Sequence, residues 1–307
     1  YLTISSCILM ATTGTNSTTL CSGLFYDNGG PTGLYNNGCN ATHTFYPGVA
    51  GSKVRIVFSS FSVEGDPWDY MDIYNGNSTG APSLGHFTTT SPGTITSTAA
   101  DGSLTLRFIS DGSVNLSGWE ATISNVHTNP ITVQPATTTN ACQSIAVSLG
   151  LTATGTVTYQ WYDNGTTNSN TGGTLIPGAN SATYSPSTAA IGTKYYYCVV
   201  TNSCGVAYSS NAAGVVVVAL PPAISGGTTV CQGLTTAFTN AVTTGTWTSG
   251  STGVATISGS GGTGTITGVG AGTSVITYAT SPACFVTKAI TVNAAPAPIG
   301  GTSFQLC

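Results

Sequence analysis

The chain has 307 residues, of which only 5% are charged, and its nine acidic and five basic residues give a formal net charge of −4. An average soluble protein has about 25% charged residues. So few basic residues cannot form the positive patch that displaces counterions from nucleic acid, which excludes nucleic acid as a partner. No stretch reaches the roughly 18 apolar residues of a transmembrane helix, so no membrane span is predicted.

The composition favours β-structure along the whole chain. Thr, Val, Ile and Tyr are typical of strands, whereas the 40 Gly and 14 Pro residues mark turns. No long run has the helical spacing of apolar side chains. The sequence therefore predicts an all-β fold of three tandem antiparallel β-sandwiches, arranged end to end.

Proline-containing segments divide the chain. They lie at Asn129-Pro130, Leu220-Pro-Pro222 and Ala294–Pro298, where the fixed φ of proline stiffens a joint. The predicted domains are 1–128, 129–219 and 220–295, followed by the start of a further repeat at 296–307.

In the first domain, acidic residues are crowded together. Four of the nine acidic residues of the chain fall within nine positions, and Asp111 joins them from a distant segment that also reads as the end of a strand. A chain so poor in charge has little reason to crowd carboxylates unless a cation holds them. Calcium takes six to eight oxygen ligands from carboxylates, carbonyls and water. The alternative is a solvated acidic loop that holds no ion. The four crowded residues are Glu64, Asp66, Asp69 and Asp72.

Several motifs in this region occur together in one family. The segments are Val54–Phe58, Trp68–Gly76, Leu104–Asp111 and Gly118–Ala121. With them, residues 21–125 resemble a CUB domain of the calcium-binding type, whose fold is a jelly-roll-type sandwich.

The resemblance implies a ligand set. Glu64, Asp69 and Asp111 would hold one calcium ion, the Ser113 carbonyl would add an oxygen, and Asp66 or Asp72 would lie nearby. The sequence departs from vertebrate CUB domains in its shorter loop before Asp69 and in Trp68, which replaces the usual cysteine.

The second domain carries the segments Tyr159–Tyr162 and Tyr195–Cys198. They resemble those of bacterial immunoglobulin-like (Ig-like) domains. The resemblance implies that Trp161 is the core tryptophan of a central strand. It also implies that Tyr196, two residues before Cys198, forms a tyrosine corner. Both roles are structural.

The third domain carries Thr246–Gly250, Gly253–Ser258 and Thr273–Tyr278. They resemble the Ig-like repeats of invasin-type adhesins. Such modules act as spacers, and no catalytic or binding constellation is evident in this one.

Nine cysteines without the C-x-x-C spacing of zinc sites indicate disulfides in an oxidising compartment. The odd number leaves one cysteine unpaired. Cys307 is the candidate for it, because Gly300–Cys307 looks like the start of a repeat that also opens at Gly226 and at Asn140. The candidate pairs are Cys231 with Cys284, Cys21 with Cys39, and Cys142 with either Cys204 or Cys198, the first of these two being slightly favoured.

No catalytic constellation is recognisable. The motifs H-E-x-x-H, G-x-S-x-G and G-x-x-x-x-G-K-[ST] are absent, and His43, His86 and His127 have no acidic neighbour in a known motif. The module set resembles the large, repetitive surface adhesins of gliding and biofilm-forming bacteria.

The predicted function follows from that resemblance. The protein is expected to be a secreted or cell-surface, non-catalytic adhesin or filament component, which either self-associates into fibres or binds a surface glycan or protein. In the alternative, these modules are the accessory region of a secreted protease or glycosidase whose catalytic domain lies outside this chain.

Overall fold

The computed structural model describes residues 6–295, and all regular elements among these residues are β-strands. The all-β prediction is confirmed. Within the described residues, no helix is long and apolar enough to cross a membrane. The predicted further repeat at 296–307, including Cys307, lies outside this range.

The first domain contains two five-stranded sheets, with strand orders β1-β3-β10-β5-β8 and β2-β4-β9-β6-β7. Apolar side chains from both sheets, among them Phe25, Phe45, Phe108 and Trp119, form one buried core. The strands are β1 (Cys7–Leu9), β2 (Thr13–Leu20), β3 (Ser22–Tyr26), β4 (Asn40–Pro47), β5 (Lys53–Ser62), β6 (Tyr70–Tyr74), β7 (Ser83–Phe87), β8 (Thr94–Thr96), β9 (Leu104–Ile109) and β10 (Gly118–Val126).

The second domain is built on a six-stranded sheet of order β12-β20-β18-β15-β16, in which β19 also pairs with β18. Two small sheets, β11-β14 and β13-β17, complete it. The strands are β11 (Ile131–Val133), β12 (Thr138–Cys142), β13 (Leu149–Gly150), β14 (Thr152–Ala153), β15 (Val157–Asp163), β16 (Thr174–Leu175), β17 (Thr183–Tyr184), β18 (Gly192–Asn202), β19 (Ala207–Ser209) and β20 (Ala213–Val218).

Trp161 is fully buried in the core of this domain, and its indole N–H donates to the Ser181 carbonyl at 2.9 Å. Tyr196 is buried in the same core. The predicted core position of Trp161 is confirmed, and the tyrosine corner at Tyr196 stays a prediction.

The third domain has a four-stranded sheet, β21-β27-β26-β23, facing a three-stranded sheet, β22-β25-β24. Its core is separate from the other two and includes Phe238, Trp247 and Tyr278. The strands are β21 (Thr229–Cys231), β22 (Thr235–Thr239), β23 (Thr246–Ser249), β24 (Ala255–Ser258), β25 (Thr263–Gly268), β26 (Gly272–Ser281) and β27 (Cys284–Asn293).

Three separate cores agree with three domains, although the exact boundaries stay predictions. In each domain we call the end from which the chain leaves the exit end, and the opposite end the far end. The last residues at the exit ends are Val126, Val218 and Asn293 in turn.

Two disulfides occur among the described residues, Cys21–Cys204 and Cys142–Cys284. Each one joins two different domains. All of the predicted pairings lie within a single domain, and all of them are wrong. Strand direction and register explain why.

In the first domain, Cys21 and Cys39 lie at opposite ends of one strand pair. β2 runs parallel to β4, and Leu20, the last residue of β2, is opposite Pro47, the last residue of β4. Cys21 follows Leu20, whereas Cys39 precedes the first residue of β4. At about 3.3 Å per residue, the two cysteines are about 25 Å apart. Cys39 is a buried free thiol.

A similar separation keeps Cys231 from Cys284. Cys284 begins β27 and Asn293 ends it, while Cys231 lies opposite Asn293 in the parallel pairing of β21 with β27. The two cysteines therefore lie about 30 Å apart, at opposite ends of the domain.

Cys142 is likewise held away from both of its candidate partners. It lies opposite Val218 at the exit end, and this end of β20 lies beside Gly192, the first residue of β18. Cys198 is in the middle of β18, and Cys204 follows the last residue of that strand. Cys198 is a buried free thiol.

Candidate metal centre

Three of the predicted ligands meet at the far end of the first domain. Glu64, Asp69 and Asp111 each offer one carboxylate oxygen, and these oxygens all lie within 4.8 Å of one another. The fold brings them together because β6 and β9 are antiparallel neighbours, with Tyr70 opposite Ile109. Asp69 precedes one strand and Asp111 follows the other. Glu64 follows β5, the strand of the opposing sheet that ends at the same place.

Asp69 is the most enclosed member of the group. Its side chain is fully buried, one carboxylate oxygen accepts the Tyr35 hydroxyl, and the other accepts the Asp111 backbone N–H at 2.9 Å. The Tyr35 hydroxyl oxygen in turn accepts the Glu64 backbone N–H at 3.1 Å. Tyr35 therefore fixes Glu64 relative to Asp69.

The sequence analysis missed Tyr35. Its ring is fully buried and packs edge-on against Phe108, with centroids 5.2 Å apart. No local pattern marks it, because it stands in a turn-rich segment of Gly and Asn residues before β4. The only signal was its polar hydroxyl, which needs a partner when the ring is buried.

The loop that carries Asp111 is anchored to the segment before β4. The Asn37 side-chain amide donates to the Gly112 carbonyl at 3.1 Å, and the Gly38 N–H donates to the Asp111 carbonyl. These two hydrogen bonds therefore fix the backbone at Asp111 and at the residue after it.

Burial and mutual repulsion disfavour a state in which all three carboxylates of the group are charged. Burial, followed by the nearby Asp111 and Asp69, raises the pKa of Glu64 above its usual value. Burial and the hydrogen bond to Asp69 also raise the pKa of Tyr35, so this hydroxyl remains a donor. The Glu64 Oε2 atom is buried and has no hydrogen-bond partner. A buried oxygen without a donor, beside two like charges, is costly unless a cation is bound.

These residues fit calcium. The three donors are all carboxylate oxygens, and one of the carboxylates, Glu64, has a buried oxygen without a hydrogen-bond partner. Hard divalent cations prefer such ligands, and no Cys or His belongs to the group.

The remaining predicted participants are placed differently. The backbone N–H of Ser113 donates to Asp111 Oδ1 at 2.8 Å, and the Ser113 carbonyl as a ligand stays a prediction. Asp66 and Asp72 instead flank His86, with nitrogen–oxygen distances of 3.0 and 2.6 Å. No sequence motif indicated an acidic neighbour of His86, and the structure supplies one because β7 pairs with β6 and places His86 opposite Asp72. These two hydrogen bonds raise the pKa of His86.

Three exposed apolar residues lie next to the carboxylate group in sequence or through a backbone contact. Leu34, Trp68 and Val114 are 57%, 52% and 52% exposed. The first two adjoin Tyr35 and Asp69 in sequence, and the Val114 carbonyl oxygen lies 3.3 Å from the Tyr35 hydroxyl, which donates its proton to Asp69. We call these three side chains the apolar rim.

The CUB domain family model matches residues 35–123. Tolloid-like protein 2 of Mus musculus is 38% identical over 77 residues, which are 24% of this chain and 7% of that protein. Among solved structures, the CUB1-EGF-CUB2 region of human MASP-1/3 is 23% identical, with a TM-score of 0.31 over 36% of this chain and 42% of that one. Extracellular domains 3–5 of Drosophila OTK are 12% identical, with a TM-score of 0.33 over 94% of this chain and 95% of that one.

Proposed function

Residues 35–123 form a CUB domain, and from this we propose that the protein is a non-catalytic extracellular adhesion or filament component. The CUB domain is the binding head, stabilised by calcium, and the two Ig-like domains are its stalk. The chain is secreted and displayed at a cell surface.

The position of the carboxylate group is the observation that carries this proposal. β5 leads from Lys53, opposite Val126 at the exit end, to Ser62, two residues before Glu64. A ten-residue strand spans about 30 Å, so the group lies a full domain length from the exit end. The disulfide at Cys21 and the following domain are at the exit end. The far end, with its apolar rim, is free to meet a partner.

Calcium has a defined task in this proposal. Glu64, Asp69 and Asp111 hold the ion, and its charge offsets the repulsion among the three carboxylates. The ion thereby fixes the loops that present Leu34, Trp68 and Val114. A ligand, either a surface glycan or a protein, contacts that apolar rim.

The two other domains support a spacer role. Residues 128–307 contain a single acidic residue, Asp163, and two basic ones, Lys194 and Lys288. Surfaces of Thr, Ser and Asn with so little charge lack the repulsion that keeps most soluble domains apart, which favours lateral association. The disulfides between domains hold the joints.

Cell attachment tests the proposal directly. An antibody against residues 1–127 should block attachment of cells that carry the protein, whereas an antibody against residues 220–294 should block it less. Electron microscopy of the purified protein should reveal thin fibres or beaded rods. Compact particles with hydrolytic activity in a longer natural product would instead support an accessory role in a secreted protease or glycosidase.

A further inference from the structure

Cys142 and Cys231 occupy the same position in two successive domains. Each is the last residue of an edge strand that runs parallel to the last strand of its domain. Each is followed by a glutamine whose N–H donates to the residue opposite the cysteine, Val218 at 2.8 Å and Asn293 at 2.9 Å. A turn of the same kind follows, in which the cysteine carbonyl accepts an N–H three residues later. Both cysteines lie at the exit ends of their domains.

Cys204 and Cys284 are also equivalent. Cys204 stands in the turn between β18 and β19, and Cys284 is the first residue of β27, directly after the turn that joins β26 to β27. Each turn lies at the far end of its domain and so faces the domain before it. We call these two positions the hairpin cysteines, and Cys142 and Cys231 the exit cysteines.

The two disulfides follow one rule. Cys142, an exit cysteine, bonds to the hairpin cysteine Cys284 of the next domain, with Cα atoms 5.3 Å apart. Cys204 bonds back to Cys21 at the exit end of the first domain, with Cα atoms 5.4 Å apart. Both Cα separations are usual for disulfides. Each hairpin cysteine therefore joins its domain to the exit end of the preceding one.

We propose that Cys231 is an attachment site for the hairpin cysteine of a further Ig-like module that follows residue 295. Cys231 is the exit cysteine of the third domain, it has no disulfide partner among residues 6–295, and it is partly exposed. The equivalent Cys142 is bonded in the same way that we infer for Cys231. The inference depends neither on calcium nor on adhesion, so it can fail or succeed separately from the proposed function.

The other free cysteines among the described residues lack these properties. Cys39 and Cys198 are buried, and burial raises the pKa of Cys198 to about 11, which leaves little thiolate. Cys7 is exposed, but it is the first residue of β1, whereas each exit cysteine is the last residue of its strand.

The bond forms by thiol–disulfide exchange in an oxidising compartment. The Cys231 and hairpin thiols each give up a proton and an electron, and a donor disulfide of the exchange system is reduced to two thiols. Gly300-Gly-Thr302 repeats Gly226-Gly-Thr228 in sequence, but Cys307 stands seven residues after the first glycine and Cys231 five, so the rule assigns no role to Cys307.

Non-reducing peptide mapping of the longest natural form of the protein tests this. The Cys231 peptide should be linked to a cysteine beyond residue 307, at a separation comparable to the 142 residues between Cys142 and Cys284. A bond from Cys231 to Cys307, to Cys7 or to Cys231 of a second chain would overturn the proposal, and so would a free Cys231 in that protein.

The 307-residue chain gives a second test. Maleimide under native conditions should label Cys231, while Cys39 and Cys198 should react only after unfolding. The Cys231→Ser variant should lose that native label and leave the Cys142–Cys284 bond intact. Absence of native labelling at Cys231, or of the Cys142–Cys284 bond, would contradict the proposed rule.

Discussion

The first domain and the two that follow differ in where their charge lies. Residues 1–127 contain eight acidic and three basic residues, and the rest of the chain contains one acidic and two basic residues. Both parts use the same kind of architecture, apolar cores between β-sheets. The difference indicates that the fold serves as a scaffold throughout, and that ionic chemistry is concentrated at one end of one domain.

A buried tyrosine in the first domain and one in the third differ in the same way, because only the first has a charged partner. Tyr35 in the first domain and Tyr278 in the third each have a hydroxyl that donates once and accepts once. The partners of Tyr278 are backbone atoms of Val242 and Gly245, whereas Tyr35 donates to the carboxylate of Asp69. Tyr278 therefore closes a loop, whereas Tyr35 orients a candidate calcium ligand.

The largest expected effect is loss of the Trp161 side chain. Trp161→Ala should destabilise the second domain by about 3–5 kcal/mol, because it opens a cavity in that core. Calorimetry should detect this loss while the calcium response of the first domain persists. The matched control is Trp68→Ala, which removes a half-exposed tryptophan of the apolar rim and should change stability by less than about 1 kcal/mol. Equal losses in the two variants would contradict the assignment of core and rim.

Calcium should act on the first domain alone. At 100 times its Kd, the ion should stabilise that domain by about 2.7 kcal/mol, which raises the Tm of a domain of about 100 residues by roughly 10–20 °C. Asp69→Asn should abolish the shift, since it removes the buried charged ligand. Asp163→Asn in the second domain should keep it, because Asp163 pairs only with Lys194. An unchanged Tm with and without calcium in the parent chain would rule out the metal site.

Tyr35→Phe should weaken calcium binding about 10- to 100-fold, or about 1.4–2.7 kcal/mol. The substitution removes the donor that orients Asp69 and the acceptor of the Glu64 N–H. Isothermal titration calorimetry gives the affinity. Tyr278→Phe, the matched control, should destabilise the third domain without changing that affinity. Unaltered binding in Tyr35→Phe would mean that the hydroxyl has no part in ordering the ligands.

Local composition was sufficient to predict the strands, and the CUB resemblance was what implied the carboxylate group. Asp69 directly precedes β6 and Asp111 follows β9, and these two strands pair with Tyr70 opposite Ile109, which brings the two carboxylates together. Once the CUB resemblance was recognised, Glu64 could be placed with them.

The cysteine pairing could not be predicted in the same way. Cys231 and Cys284 share a domain, which made their pairing the obvious choice. Their separation depends on β21 running parallel to β27, and a short Thr-Val-Cys strand does not reveal its direction. Contacts between domains, such as Cys142 with Cys284, carry no local periodicity at all.

The smallest expected effect is a dependence of calcium affinity on pH. Glu64 has a pKa above its ordinary value of 4.5 in the folded protein, so between pH 4.5 and that raised pKa the folded domain without calcium tends to hold a proton that the ion must displace. Stability without calcium should therefore fall as pH rises from 4.5 through that raised pKa, and calcium should bind more tightly over the same range. One displaced proton changes the affinity by at most about tenfold per pH unit. Titrations between pH 5 and 7 should give this slope, and Glu64→Gln should flatten it while also weakening binding.

A second group titrates in acid and provides an internal control. Burial lowers the pKa of His43 to about 4, and its Nε2 is 2.9 Å from the Thr18 hydroxyl, far from the carboxylates in sequence. Because this folded pKa is below the ordinary value of 6.5, His43 contributes stability above pH 6.5 that is lost as the pH falls towards 4. This loss should appear equally in Glu64→Gln and in the parent chain, with or without calcium. The Glu64 contribution has the opposite sign without calcium and disappears in the variant, so comparing the four conditions separates the two groups. A calcium affinity with the same pH slope in both proteins would show that the displaced proton is not on Glu64.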